Sequence, residues 1–563
     1  MTADDTDARA RAMLTARAAL VRQLLRDGDR ERAIGVASDP TALAAPGAVR
    51  RFAAEFFAWP RIKERWLRAV LERKPGDFHA MAELAATLQN LGESTAALAL
   101  CDRALAQQPG DASVREVRAL ALIDRGDVEA GLAELRELVP NNAATAARHL
   151  VVMHYDPAQD NETLFAAQVD YAQRHLRTFG PTFTRMACDP EKPLRVGWLS
   201  PRLGEGPVAR FLGGLLGAFD RTRHRHVLVA LQPVFDETGA AIARLADEAV
   251  MLAGLDDAAL LDALRRLQLD VLVDLAGHAT ANRIGVVAQR VAPLQVCWLD
   301  WFDTTAVPAM DAWISDRWLT PEDGTQRYTE RIVRLDAGRF CYTPFDSRPF
   351  DNRPFDSRPL ADASAAKREP SDQVVFASFN RLAKFNEGVV ETWSRILRAV
   401  PNSRLELRTR MLADAGTQAH IRARFAAHGV DENRLDLFAN VPYRDLLDAY
   451  AHVDVALDPF PFSGCTTTCD ALWMGCPVVT LPGDTFVSRQ SASLLSRLGR
   501  EEWIAHSRED YVERAIALAR DAHALRPQRA ALREAVRDKL CDATVQARDF
   551  AAALRALWHA TCG

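Results

Sequence analysis

The pattern of apolar and polar positions changes along the chain. From Leu194 onward, short apolar runs alternate with amphipathic stretches. The first block of runs is LRVGWLS, HVLVAL, DVLVDL and QVCWLD, and the second is VVFASFN, SRLELR, LDLFANV, VDVALD and PVVTLPG. Such runs are typical of buried strands, and their alternation with helices predicts parallel sheets covered by helices on both faces. We therefore expect two α/β domains, at 191–343 and 373–563, the second ending in helices.

A stretch rich in Pro, Asp and Arg separates the two blocks. The segment PFDSRPFDNRPFDSRPL runs from Pro344 to Leu360 and repeats a five-residue unit. So much proline with so few apolar residues cannot build an interior element. We predict a surface linker over 344–372.

An internal repeat of 34 residues precedes the strands. The tripeptide Pro-Gly-Asp at 75–77 recurs at 109–111, and Gly92 recurs as Gly126. This period is the length of one helix–turn–helix unit in tetratricopeptide arrays. The positions where such a unit needs apolar or small residues for stacking are occupied by Leu84, Ala85, Leu88, Gly92, Ala97, Ala104 and Leu105. The next unit is weaker, because Arg118 stands at a core position.

The repeat predicts an α-helical, tetratricopeptide-like solenoid over 1–150, followed by a helical connector over 151–190. A solenoid of this kind presents a concave surface that receives a protein. The alternative is a helical cap that only stabilises the next domain.

Composition narrows the class of protein. The chain has 563 residues, 48% of them hydrophobic, and can bury two to four domain cores. A net charge of −5 argues against general nucleic-acid binding. The N-terminus lacks an apolar signal region and no run is long enough for a membrane span, so we expect a cytoplasmic protein. Nine cysteines without a Cys-x-x-Cys pair fit a reduced compartment and predict structural thiols.

One short stretch carries candidate chemistry. Between Asp458 and Pro477 the chain reads DPFPFSGCTTTCDALWMGCP, in which a strand end is followed by a turn, three threonines and a helix. Open N–H groups and the helix dipole make such a helix start a natural anion site. The alternative is a threonine N-cap that serves only the helix.

A second polar cluster follows the strand VVFASFN. Asn380, Arg381 and Lys384 lie in FNRLAKFN, just past the strand end. In open α/β sheets, ligands bind beyond the carboxyl ends of the strands. A lysine and a helix start that converge there suit a diphosphate leaving group, because both oppose the charge that develops as a glycosidic bond breaks.

These segments resemble the O-GlcNAc transferase and SPINDLY family of glycosyltransferases, family 41. FNRLAK, SRILRAVPNSRLEL, DPFPFSGCTTTCDALWMGCPVVTLPGD and SRQSASLLSRLG are similar to its nucleotide-sugar half. LRVGWLSP, VDLAGHATANR and APLQVCWLDWFDTTAVPAMD are similar to its first half, and tetratricopeptide repeats precede the catalytic region in that family. The resemblance implies a GT-B fold of two Rossmann-like domains. It also implies an inverting, metal-independent enzyme that moves a sugar, from UDP-GlcNAc or a related UDP-sugar, to Ser or Thr hydroxyls of proteins.

The resemblance also implies roles for individual residues. Lys384, Thr466 and Thr467 match residues that contact the diphosphate, and Asp470 matches the acidic residue that holds the ribose. The full set of residues predicted to bind the nucleotide-sugar is Asn380, Arg381, Lys384, Gly464, Cys465, Thr466, Thr467 and Asp470. We expect no cofactor and no metal, since the two Asp-x-Asp triplets, at 5–7 and 27–29, lie near the N-terminus and far from the predicted strand ends.

The sequence departs from the family pattern in four places. Gly206 stands where the family usually has a histidine after the first strand. Asp-Trp-Phe-Asp-Thr at 300–304 replaces a loop of small residues, GYPGT. Leu446 replaces a histidine that often stacks on the base, and Cys465 replaces the helix-start histidine of animal homologues. The expected phosphate contacts are therefore retained, whereas the sugar and acceptor side differs.

Three hypotheses follow. In an active transferase with an altered donor or acceptor, Lys384 assists departure of the diphosphate and Asp300, Asp303 or Glu205 supplies the electrostatic or base role. The alternative for the two aspartates is loop capping or pairing with a nearby arginine such as Arg210 or Arg283. A degenerate member would bind nucleotide and act as a protein scaffold. A third possibility is a carbohydrate-modifying enzyme whose acceptor is not a protein. His278, just past a strand end, contacts donor or acceptor or is structural.

Overall fold

The computed structural model describes residues 3–45, 47–139, 142–176, 188–344 and 373–562. Apart from Pro344, the predicted linker 344–372 lies outside these residues. The chain falls into two compact units, Met1–Val139 with Thr409–Arg422, and Pro140–Arg408 with Ala423–Gly563. The N-terminal stretch of the first unit ends at Val139, and a later segment, Thr409–Arg422, belongs to the same unit.

The first unit is built from helices. They are α1 Ala3–Arg26, α2 Arg30–Ala37, α3 Pro40–Leu43, α4 Ala48–Glu55, α5 Pro60–Arg73, α6 Phe78–Leu91, α7 Ser94–Gln107, α8 Ala112–Arg125 and α9 Val128–Leu138. Helices α6 and α8 begin and end 34 residues apart, so the predicted repeat is confirmed. The seven predicted stacking positions are all buried. Arg118 is half-buried and paired with Glu134 at 3.4 Å, so its charge is compensated at the weaker unit.

Matching caps set the ends of the two repeat helices. Asp77 caps α6 and Asp111 caps α8, each accepting a backbone N–H in the first turn. Gly92 and Gly126 end the same helices in the left-handed conformation, with φ of 83° and 100°. Glycine is the residue that adopts this conformation at no steric cost. The recurrence of Pro-Gly-Asp and Gly in the sequence is therefore the recurrence of helix caps.

The second unit holds two parallel sheets, as predicted. The strands are β1 Leu194–Ser200, β2 His224–Ala230, β3 Glu248–Met251, β4 Val271–Asp274, β5 Leu294–Cys297, β6 Ala312–Asp316, β7 Arg331–Leu335, β8 Val374–Ser378, β9 Ser403–Arg408, β10 Leu435–Phe438, β11 Val455–Leu457 and β12 Val478–Val479. The first sheet has the order β3-β2-β1-β4-β5-β6-β7, and the second has the order β10-β9-β8-β11-β12. In the first sheet Trp198 pairs with Leu228 on one side and with Val273 on the other.

The remaining helices precede, connect or follow the strands. They are α10 Ala143–Met153, α11 Asn161–His175, α12 Pro207–Ala218, α13 Glu237–Ala243, α14 Asp257–Arg266, α15 Ile284–Val287, α16 Glu387–Ala399, α17 Ala415–Ala427, α18 Tyr443–Ala449, α19 Thr466–Trp473, α20 Phe486–Leu498, α21 Arg508–Arg520, α22 Ala522–Leu525, α23 Arg529–Leu540 and α24 Ala543–Cys562. The first part of α17 belongs to the first unit. Among the described residues, no helix is long and apolar enough to cross a membrane. Strands β1, β4, β5, β8 and β11 are buried on both faces, as expected for parallel strands that lie between helices.

One cysteine pair departs from the prediction of structural thiols. Cys188, shortly before β1, and Cys562, at the end of α24, form a disulfide with their Cα atoms 5.2 Å apart. No motif marked this pair, because its members are 374 residues apart in sequence. The other seven cysteines are free, including Cys465 and Cys469.

The repeat caps give a first testable prediction. Asp111 Oδ1 accepts the Val114 N–H at 2.9 Å, so Asp111→Ala should lower the local stability of α8 by about 1 kcal/mol. Hydrogen exchange over residues 112–125 measures this as faster exchange. Asp111→Asn is the control, because asparagine caps a helix as well as aspartate does. Equal protection in the alanine and asparagine variants would contradict the capping role.

Candidate active site

The turn between β11 and α19 is fixed by a buried carboxylate. Asp458 accepts the Gly464 N–H at 2.6 Å and the Thr480 hydroxyl at 2.7 Å. A Cβ on Gly464 would lie 2.8 Å from Asp458 Oδ1 and would also clash with the hydroxyl of Thr468. Only glycine therefore fits this turn, which delivers the chain to the start of α19.

Helix α19 begins without a side-chain cap. Cys465 stands at its N-cap position and makes no capping hydrogen bond. Thr467 and Thr468 use their hydroxyls elsewhere, the first toward Asn380 Oδ1 at 3.2 Å and the second toward Ser491 at 2.7 Å. The threonines are thus residues of the first helical turn, and the simple N-cap alternative does not describe them. The start of the helix keeps its dipole and main-chain N–H groups directed beyond the strand ends.

Lys384 lies beside this helix start, on the turn that follows β8. Its Nζ donates to the Ser463 carbonyl oxygen at 2.8 Å and to Asn380 Oδ1 at 3.1 Å. The same atom lies 4.7 Å from the centroid of the Phe462 ring. Burial, together with nearby Arg381, lowers the pKa of Lys384 to about 8, against the opposing effect of Asp458. Both hydrogen-bond acceptors of the ammonium group are neutral. Because its pKa lies above 7, the group remains mostly charged at pH 7.

A cavity of about 690 Å³ opens between the ends of the two sheets. Its volume is in the range of sites for small molecules and cofactors. The predicted residues that line it are Asn380, Arg381, Lys384, Cys465, Thr466, Thr467, Asp300, Glu205 and Gly206. The second sheet thus contributes the cation and the helix start, and the first sheet contributes the carboxylates.

Three aromatic rings form one wall of the cavity. Tyr155 stacks on Phe462, with ring centroids 4.9 Å apart, and Phe302 meets Phe462 edge-on at 5.1 Å. Phe462 also carries the Lys384 ammonium over its face. The motif DPFPFSG contained the signal for Phe462, whereas Tyr155 follows α10 and no motif marked it.

Two carboxylates of the first sheet reach the cavity. Asp300 is half-buried and forms an ion pair with Arg202. Burial raises the pKa of Asp300 above its ordinary value, although Arg202 and Arg381 oppose this. Glu205 is exposed, at the start of α12. Arg202, in SPRLGEG, was not among the predicted site residues.

Asp303, predicted as a possible base, does not line the cavity. Its carboxylate is 1% exposed and accepts the Thr304 N–H at 2.8 Å and the Gln326 amide at 2.9 Å. The other oxygen lies 3.3 Å from His154 Nε2. These contacts match the loop-capping alternative.

His278 lines a second, smaller cavity of about 330 Å³. Its Nε2 contacts the Thr305 carbonyl oxygen at 2.7 Å, and its ring meets Tyr171 and Trp301 edge-on. Burial lowers the pKa of His278 to about 4, so the ring is neutral at pH 7. The two cavities share Val151, Ala279 and Thr280 as lining residues.

Asp470, predicted to hold a ribose, also lies away from the cavity lining. It is 2% exposed, and Arg210, Tyr342 and Tyr443 all bind its carboxylate. Gly464 does not line the cavity either; it shapes the turn behind it. Within the described residues, no group of three His, Cys, Asp or Glu side chains is arranged to hold a metal ion.

Comparison with known proteins identifies the family to which this chain belongs. The model of glycosyl transferase family 41 matches residues 173–342 and 356–550. The chain therefore belongs to glycosyl transferase family 41. Its structure matches that of a lysine-to-methionine variant of the Thermobaculum terrenum O-GlcNAc transferase with a TM-score of 0.83 and 30% identity, over 100% of this chain and 99% of that chain. That match supports the predicted order of a helical repeat followed by two Rossmann-like domains of the GT-B type.

Among curated proteins, the chain is similar to plant proteins of the SPINDLY type. The probable UDP-N-acetylglucosamine–peptide N-acetylglucosaminyltransferase SPINDLY of Solanum lycopersicum is 30% identical over 434 residues, 75% of this chain and 45% of that protein. The protein of the same name from Arabidopsis thaliana is 30% identical over 434 residues, 75% of this chain and 46% of its own length. The match with this chain thus spans about half the length of these relatives.

The lowered pKa of Lys384 gives a second prediction. The predicted contact with a diphosphate needs the protonated lysine, so the affinity for UDP should hold between pH 7 and 8 and then fall by about tenfold per pH unit as the free ammonium loses its proton. Calorimetric titration from pH 7 to pH 9 measures the fall. In Lys384→Arg the fall should disappear, because a guanidinium stays charged throughout. An equal fall in both proteins would assign the titration to another group.

Proposed function

We propose that this protein is a glycosyltransferase that moves a sugar from a UDP-linked donor, UDP-GlcNAc or a related UDP-sugar, to a Ser or Thr hydroxyl of a protein. The observation that carries the proposal is the convergence of the Lys384 ammonium and the start of α19 in one cavity. The plant relatives are named as probable UDP-N-acetylglucosamine–peptide N-acetylglucosaminyltransferases, which supports the donor and the peptide acceptor.

The proposed site acts first on the leaving group. As the bond between the anomeric carbon and the diphosphate oxygen breaks, negative charge grows on the diphosphate. Lys384 and the N–H groups of Thr466 and Thr467 lie where they would meet this charge. Preorganised donors of this kind favour the transition state more than the ground state, because the leaving oxygen carries more negative charge in the transition state than in the bound donor.

We propose a single displacement with inversion and without a metal ion. The acceptor oxygen forms its bond to the anomeric carbon on the face opposite the departing diphosphate. Its proton passes to a carboxylate of the first sheet, and the diphosphate leaves with the electron pair of the broken bond. Lys384 and the helix dipole supply the positive charge that the leaving group requires.

Asp300 is the better candidate for the carboxylate that receives the proton. It lines the cavity, Arg202 holds its position, and it belongs to the loop that follows β5. Glu205 lines the same cavity but is exposed, so it is less firmly placed. Gly206 offers no side chain at all, so the base cannot come from the position where the family usually has a histidine.

The helical repeats are proposed to recruit the protein acceptor. A solenoid offers an extended surface that a folded or unfolded chain can follow.

Recruitment of the acceptor by the repeats predicts that the intact enzyme has a lower KM for a whole acceptor protein than for a short peptide with the same Ser or Thr, at similar kcat. Equal KM values would argue against recruitment and for the cap alternative. Transfer to a carbohydrate but to no peptide would favour a non-protein acceptor.

The third prediction tests the diphosphate contact. Lys384→Ala should weaken UDP binding by about 1.5–3 kcal/mol, the value of a hydrogen bond to a charged group, and should abolish most transfer. Calorimetry with UDP, GDP, dTDP and CDP, each in EDTA, identifies the base, and transfer of labelled sugar to a Ser/Thr peptide measures activity. Binding of a diphosphate without transfer or donor hydrolysis would favour the scaffold alternative. Unchanged UDP affinity in the alanine variant would place the site elsewhere.

The fourth prediction separates the carboxylates. Asp300→Asn should lower kcat by about 100-fold, the lower range for a general base, and leave UDP affinity nearly unchanged. Glu205→Gln, the matched change at the other cavity carboxylate, should have a small effect. Asp303→Asn should lower thermal stability more than it lowers kcat, because its carboxylate is buried in loop contacts. Loss of kcat in Glu205→Gln alone would move the base to Glu205.

A further inference from the structure

A fully buried arginine lies next to the loop that carries Asp300. Arg339 follows β7, and its side chain has 0% exposure. Its Nη2 donates to the carbonyl oxygens of Leu299, at 3.1 Å, and Trp301, at 3.0 Å. Its Nη1 donates to the carbonyl oxygen of Ile314, in β6. The guanidinium group thus joins the main chain on both sides of Asp300 to the strand next to β5.

The charge of Arg339 is compensated by main-chain oxygens and aromatic faces. Its guanidinium carbon lies 4.2 Å from the centroid of the Trp313 ring and 5.0 Å from that of Phe486. Burial lowers the pKa of Arg339 to about 10, so the group stays charged at pH 7. A buried cation is costly where its hydrogen bonds are not formed. A shift of the loop would break two of these bonds, so the buried charge resists such a shift.

The loop itself has an unfavourable backbone conformation. Leu299 has a φ of 77°, in the left-handed region that residues with a Cβ rarely adopt. Such a conformation persists where the surrounding contacts impose it. Arg339 binds the carbonyl oxygen of Leu299, and the N–H of Asp300 donates to the Leu275 carbonyl oxygen at 3.1 Å. These two contacts hold the turn from which Asp300 reaches the cavity.

The carboxylate of Asp300 has a second, weaker support. Arg202 forms an ion pair with it, but the Arg202 side chain is 49% exposed. Exposed ion pairs contribute little to holding a geometry, because water competes for both charges. The buried contacts of Arg339 with the main chain are therefore the firmer constraint on where Asp300 lies.

We propose that Arg339 is a positioning residue, which fixes the main chain on both sides of Asp300 so that its carboxylate meets the acceptor hydroxyl. This inference rests on the proposed function, in which Asp300 receives the proton of the acceptor. Arg339 does not line the cavity, so it acts through Asp300 and not on the substrate. Lysine cannot take its place, because a compact ammonium group lacks the fork with which a guanidinium reaches carbonyl oxygens of the loop and of β6 together.

A double-mutant cycle in kcat tests this role, with the full-length chain, UDP-GlcNAc and a Ser/Thr peptide. Arg339→Lys should lower kcat by about tenfold, because a misplaced base is less effective. UDP affinity should stay within about twofold, since Lys384 and α19 belong to the other α/β domain. In an Asp300→Asn background the same change should cost less than about twofold, because no base remains to be positioned. A further tenfold loss in that background would overturn the proposal.

Arg529→Lys is the matched control. Arg529 is also buried, at 9% exposure, and its Nη1 donates to the carbonyl oxygens of Tyr450 and Ala451, at 3.2 and 2.8 Å. The control removes the same kind of buried fork away from Asp300. It should lower thermal stability, as Arg339→Lys does, but keep kcat within about twofold. An equal loss of kcat in the control would assign the effect to general destabilisation and overturn the proposal.

A second variant covers the case in which Arg339→Lys does not fold. Arg339→Gln keeps one amide donor and carries no charge that must be buried, so it takes the place of the lysine variant in the cycle. Failure of both variants to fold would make Arg339 a residue of the stability of the whole domain and would overturn its specific role.

The same measurements separate this inference from the proposed function. A wild type that neither binds UDP nor transfers the sugar would overturn the proposed function, and the role of Arg339 with it. A wild type that is active and unaffected by Asp300→Asn would overturn the choice of base, and again the role of Arg339. An active wild type that loses kcat in Asp300→Asn, but shows additive losses in the double variant, would overturn the role of Arg339 alone.

Discussion

The buried charge of Lys384 is the constraint on which the cavity depends. Removing an ammonium group from water is costly, and here a carbonyl oxygen, an amide oxygen and an aromatic face compensate it only in part. No carboxylate among the described residues forms an ion pair with it within 4 Å, and burial lowers its pKa to about 8 although Asp458 opposes this. A bound diphosphate would supply the missing counter-charge. The burial that destabilises the charged form of the free lysine therefore strengthens the contact between that charge and a bound anion.

Hydrogen bonds in the surrounding turns hold the Lys384 ammonium and the start of α19 in fixed positions relative to each other. Asp458 lies behind the site and binds the main chain of Gly464, so the turn before α19 cannot relax away from Lys384. Asn380 Oδ1 accepts from both Lys384 and Thr467 and thereby joins the end of β8 to the first turn of α19. Because β8 and β11 are adjacent parallel strands, their carboxyl ends bring these groups together although they are about 80 residues apart in sequence.

Much of the fold followed from local pattern, and the exceptions have physical reasons. The predicted runs correspond to nine strands, but β3, β6 and β7 were not predicted. Strands β3 and β7 are edge strands with exposed or half-buried residues, so they lack a continuous apolar run. The short β6 is fully buried and carries polar Ser315 and Asp316.

At the site, sequence reasoning located main-chain positions better than side-chain directions. Lys384, Thr466, Thr467 and Asp300 follow strand ends and line the cavity, whereas Asp303 follows the same strand end as Asp300 and turns inward. The groups proposed to bind the diphosphate thus come from the second sheet, and the loop that departs from the family pattern comes from the first. The two hydrogen bonds of Lys384 reach Ser463 and Asn380, which both belong to the second α/β domain, so the proposed leaving-group site can stay the same while the loop at 300–304 changes.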